Sequence, residues 1–133
     1  MRENLEMAID LNCEMSNFYS AMAYPGSELF NMAIQNRWKL PENWLGFSQH
    51  AFETLPLPTK NIGAGEVLAF RDWVWNKYFT NSKFLNMIHS KFGDKTFNHI
   101  RELTNTKLDR KYSASIDFDS YNVPQKIQNE III

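Results

Sequence analysis

The side chains of this chain best suited to chemistry are few and scattered. His50, His89 and His99 lie far apart in sequence, so a metal site built from them needs convergence in three dimensions rather than a local ligand spacing. A nucleophile drawn from Ser16 or Ser20 has no strand-to-helix elbow motif around it. Gly63-Ala64-Gly65 lacks the third glycine, the lysine and the preceding strand that a phosphate-binding loop requires. What remains is Ser48-Gln49-His50, set directly after Trp44 and Phe47. Apolar walls carrying a few placed polar groups are what a small-molecule pocket is made of, which makes Trp44, Gln49 and His50 candidates for a loop pocket. The plainer alternative is that Gln49 and His50 only satisfy loop backbone.

These residues must be held by the elements around them, and the sharpest of those signals is Tyr24-Pro25-Gly26-Ser27. A residue before proline is pushed out of the α region, so Tyr24 should stay extended. Pro25 presets the second position of a turn, and Gly26 can take the positive φ of its third. Ser27 is then placed to cap a helix beginning at Glu28. Junctions of this kind at the carboxyl end of a strand are where α/β proteins place ligands.

Length and composition set the frame. The 133 residues suit one domain, and the content of Phe, Tyr and Trp promises large aromatic contacts. A net charge of −1 with no basic block gives no reason to expect nucleic acid or an acidic membrane as partner. The single cysteine, Cys13, rules out an internal disulfide and fits a reducing, cytoplasmic setting. No apolar run approaches the roughly 18 residues needed to span a bilayer, so a soluble protein is expected.

Taken in order, residues 3–12 carry a helical stripe of Leu5, Ala8, Ile9 and Cys13, ended by Asn12. Met15 to Tyr24 reads as a strand with two largely apolar faces, the mark of a strand covered on both sides in an α/β sheet. Its backbone then needs partners on both edges. Ser115–Phe118 and Ile131–Ile133 are the only candidates in the chain. Otherwise another chain supplies them, or the rest of the sheet is missing. After the helix at residues 28–36, residues 37–62 form a long segment too aromatic for disorder, expected to be an ordered loop wrapped over something. Residues 63–79, a shorter stretch capped at Asn81 or Ser82 and closed by Gly93, and a third capped by Asp94 read as a helical lobe reaching residue 111. Residues 112–133 form a variable tail, with a short helix expected at Pro124–Glu130.

One ordered set of segments resembles a known family. Asn17-Phe18-Tyr19, Ala21-Met22-Ala23-Tyr24-Pro25-Gly26-Ser27, Trp38-Lys39-Leu40-Pro41, Phe47-Ser48-Gln49-His50 and Leu55-Pro56-Leu57-Pro58-Thr59 are similar to the carboxyl-terminal part of radical S-adenosylmethionine (radical SAM) proteins. The subgroup is the one that often carries a cobalamin-binding domain. Glu66-Val67-Leu68-Ala69-Phe70-Arg71-Asp72 and Lys91-Phe92-Gly93-Asp94-Lys95-Thr96 extend the similarity to about Lys111.

The resemblance implies a mainly α chain with one buried strand: the last β/α unit of a partial (β/α) barrel in residues 1–36, then a helical carboxyl-terminal lobe. Tyr24, Pro25, Gly26 and Ser27 would form the rim near S-adenosylmethionine and substrate. The family holds a four-iron four-sulfur cluster through three closely spaced cysteines, and this chain has only Cys13. The expected role is therefore a segment of a radical SAM-type enzyme that binds no cofactor alone. S-adenosylmethionine, the cluster and, in the cobalamin subgroup, cobalamin belong to the complete enzyme. The expected partner is the remaining barrel portion or a chain supplying it, with self-association through an unpaired strand as another route. A non-enzymatic helical binding or protein-interaction module is the alternative.

Overall fold

A computed structural model describes residues 1–120. It contains four α-helices: α1 (Arg2–Leu11), α2 (Glu28–Gln35), α3 (Ala64–Phe79) and α4 (Ser82–Asn105). A single 3₁₀ turn, Trp44–Phe47, interrupts the long connection between α2 and α3. The helix ends follow from local chemistry. Asn12 closes α1 in the left-handed conformation (φ 49°, ψ 48°), its N–H donating to Ala8 O. Asn81 Oδ1 accepts from Lys83 N at 2.8 Å to start α4, and Glu66 Oε2 accepts from Gly63 N at 2.8 Å to close the first turn of α3. α4 is broken at Gly93, whose φ of 76° and ψ of −177° suit glycine alone.

The main core lies where α1, α3 and α4 meet. Leu5, Phe70, Val74, Tyr78, Phe84 and Ile88 are buried together, and Phe118 from the chain after α4 joins them. Tyr78 and Phe84 are almost wholly excluded from water, with ring centroids 5.1 Å apart. Burying two such rings contributes on the order of 2–3 kcal/mol each. A smaller cluster of Ala23, Ala33 and Leu57 seats α2 against the loop. Lys83 Nζ donates to the carbonyls of Ile9 and Asp10 at 3.2 and 3.0 Å, placing a cation on the negative end of α1.

The expected strand is absent, and with it the β/α unit. Among the described residues there is no strand and no sheet. The segment after α1 is extended, but side chains take the place of neighbouring strands. The Gln49 amide donates from Nε2 to Ser20 O at 2.9 Å and accepts from Ser20 N at 3.3 Å, the pair of bonds a facing strand residue would make. Arg71 Nε donates to Phe18 O at 2.9 Å, and Tyr78 Oη donates to Cys13 O at 2.5 Å. One backbone bond, Leu57 N to Ala21 O at 3.1 Å, joins the segment to the loop.

Nor are both faces covered. Ser20 and Met22 are buried with Phe18 partly so, while Met15, Asn17, Tyr19 and Ala21 on the alternate side are exposed; the order changes only at the end of the segment, where Ala23 is buried and Tyr24 exposed. Over residues 15–22 the apolar composition reflects one packed side and one open side.

Residues 115–118 form no strand among the described residues, and Phe118 already lies in a turn. Their neighbour Ala114 donates from N to Gly65 O at 3.0 Å, which lays this stretch along α3. A Cβ on Gly65 would sit 2.4 Å from Tyr112 O, so the close approach needs glycine. The expectations for Pro124–Glu130 and Ile131–Ile133 lie outside the described residues.

Candidate functional site

The loop between α2 and α3 is wound around one side chain, Arg110. From its place beyond α4, its Nε and Nη2 donate to the two carboxylate oxygens of Asp72 at 2.9 Å each. Nη1 donates to Ala51 O at 2.9 Å and Thr54 Oγ1 at 2.8 Å, and Nη2 donates again to Gln49 O at 2.9 Å. All five guanidinium N–H groups are therefore spent, and the side chain is only 2% exposed. Thr54, fully buried, turns its own hydroxyl to Ser48 O and Ala51 O at 2.6 Å each. A charge this deeply buried persists because Asp72 neutralises it and each donor is satisfied.

Beside this cluster opens a cleft of about 860 Å³. Arg71 and Asp72 of α3 form its polar base, His50 and Lys107 contribute further polar groups, and Trp73, Trp75 and Phe118 are among its apolar walls. Arg71 is 6% exposed and donates from Nη1 to Asp72 Oδ1 at 2.7 Å. Burial, and then the Arg71 and Arg110 cations, push the His50 imidazole below its ordinary value of 6.5 against the opposing pull of Asp72. His50 thus reaches neutral pH as an uncharged donor and acceptor. The indole N–H of Trp73 is buried without an acceptor among the described residues.

The sequence-derived candidates divide between two places. His50 lines the cleft, while Gln49 is buried behind it, its amide committed to Ser20. Trp44 is 75% exposed and meets Phe47 at a tilt, with ring centroids 6.0 Å apart. Tyr24 meets the same Phe47 ring at 6.3 Å, so the Tyr24–Ser27 turn borders the aromatic loop and not the cleft. Within that turn Gly26 takes φ 88°, and Ser27 Oγ both accepts from Phe30 N at 3.1 Å and donates to Tyr24 O at 2.7 Å. The turn chemistry is as its residues require, and it leaves Ser27 occupied with capping.

Arg71, Asp72 and Arg110 are the polar residues that reading the sequence missed. Adjacent Arg-Asp on a helix commonly looks like solvent-facing charge, and the only hint was their setting between Phe70 and Trp73. For an iron–sulfur cluster the residues do not fit. Cys13 is exposed and alone, and among the described residues no three His, Cys, Asp or Glu side chains gather as ligands. No helix among the described residues is long and apolar enough to cross a membrane. No family model matches the chain, and no curated protein or solved structure matches it.

Proposed function

We propose that this chain is an accessory part of a radical SAM-type enzyme, not catalytic by itself, which docks onto a body that carries the cysteine triplet. The cluster, S-adenosylmethionine and, in the cobalamin subgroup, cobalamin are held by that body in a cytoplasmic setting. The chain contributes its aromatic loop, the Tyr24–Ser27 turn and its helical lobe on the substrate side.

The observation that carries this reading is the open side of the extended segment. Met15 and Tyr19 are 80% and 61% exposed, and Met7 and Leu11, one turn apart on α1 just before it, are also largely in water. Apolar surface gathered along one stretch of chain is the usual sign of a protein–protein contact. Tyr19 is among the residues that carry the radical SAM resemblance. Co-expression with a cysteine-triplet radical SAM protein encoded beside it, followed by purification through a tag on this chain, tests the proposal. A stoichiometric complex supports it, and recovery of this chain alone as a cooperatively folded monomer contradicts it.

A second reading, a non-enzymatic binding module, is favoured by the cleft, where polar Arg71, His50 and Lys107 stand beside the apolar Trp73, Trp75 and Phe118.

A further inference from the structure

We infer that the cleft beside α3 binds a small organic carboxylate, with Arg71 as the anion-reading group and the Trp73–Trp75–Phe118 side receiving the apolar body. The inference stands apart from the radical SAM reading and concerns what this chain holds by itself.

The two arginines at the cleft differ in the donors they have left. Arg110 has no capacity left, because each of its five N–H groups already has an acceptor. Arg71 is different. Its Nε is taken by Phe18 O and one Nη1 hydrogen by Asp72, while Nη2 makes no hydrogen bond among the described residues. More than nine-tenths of Arg71 is buried, yet it lines the cleft. A guanidinium with unspent donors at the base of a concave site calls for an acceptor, and a planar carboxylate matches its geometry.

Charge points the same way. Arg71, Arg110 and Lys107 face the cleft against Asp72 and Asp109, leaving one positive charge with His50 neutral. Asp72 carries one negative charge for two guanidinium groups, meeting Arg71 through Oδ1 and Arg110 through both oxygens, so it cannot neutralise both. A ligand carrying one negative charge therefore balances the site. The walls select against a bare ion. Indole rings, Leu103, Ile116 and Phe118 line a volume suited to a small organic molecule and offer apolar area that an inorganic anion would leave unused.

The test is a two-dimensional NMR titration of the whole chain with benzoate, using benzamide as the uncharged probe of the same shape. Benzoate should move the indole N–H signals of Trp73 and Trp75 saturably, leave those of Trp38 and Trp44 in place, and outbind benzamide about tenfold or more. Arg71→Gln should weaken benzoate about tenfold, and Lys107→Glu, at an exposed position, should weaken it several-fold through charge alone. Equal binding of benzoate and benzamide, or shifts at all four tryptophans alike, overturns the inference. Should Arg71→Gln fail to fold, Lys107→Glu decides: an unchanged benzoate affinity in that variant overturns the proposal.

Discussion

Arg110 joins a loop, a helix and the chain beyond α4 through one guanidinium, so its removal leaves unpaired groups on several sides. Arg110→Ala strands the Gln49 and Ala51 carbonyls and half of the neutralisation of Asp72. Breaking a buried, hydrogen-bonded ion pair in this way costs about 3–5 kcal/mol, which urea unfolding would read directly as a lower midpoint. Arg110→Lys keeps the charge but loses the fork, and should recover only a minor part of the loss. Gln49→Met keeps the volume while removing both bonds to the Ser20 backbone, and should cost about 2 kcal/mol in the same assay. His50 supplies the pH dependence. Its folded-state value lies below the ordinary 6.5, so the unfolded chain binds more protons in that window, and this residue's contribution to stability is lost as pH falls below about 6.5. An NMR titration should place the His50 midpoint below 6.5, and Arg71→Gln should raise it. None of these roles was legible in the types alone. Gln49 spends its amide on the Ser20 backbone, close to the plainer alternative for it, though no residue type names Ser20 as the partner; Arg110 sits in a polar stretch with no periodicity to mark it as buried.

At the scale of elements, the helices were legible and the strand was not. Apolar spacing, Asn12, Ser27, Asn81 and Gly93 mark local events, settled by torsion angles and nearby donors, and the structure has each of them at a helix end or break. A strand is a relation between two segments, and an apolar run cannot say whether its backbone meets another strand or the side chains of Gln49, Arg71 and Tyr78. Of the apolar residues after Asp94, Ile100 packs on the core, while Leu103 and Leu108 are 47% and 41% exposed. Leu103, Leu108 and the Ser113–Ile116 stretch line the cleft, a tertiary feature that helical periodicity does not encode. Two glycines test the element geometry. Gly93→Ala forces an L residue into φ 76°, ψ −177° and should cost about 1–3 kcal/mol, visible as a lower thermal midpoint. Gly65→Ala sets a methyl against Tyr112 O and should loosen residues 112–118 from α3, read as faster amide exchange at Ala114.

For the whole molecule, the helical core and the Arg110 cluster form one connected body, while the side of the chain bearing Met7, Leu11, Met15 and Tyr19 leaves apolar surface in water. The proposed function treats that side as the contact with a cluster-bearing radical SAM-type body, and it assigns the cleft to the opposite task of ligand binding. Within a reassembled enzyme, His50→Ala should lower substrate turnover more than it lowers stability, because the imidazole faces the cleft and holds no core residue in place. The most direct measurement is sedimentation of this chain mixed with a cysteine-triplet radical SAM protein, run for the natural sequence and for Tyr19→Asp. The account predicts that the natural chain co-sediments with the larger protein and that Tyr19→Asp, folded to the same extent, does not. Independent sedimentation of the natural chain, or co-sedimentation unaffected by the charge at position 19, would contradict it.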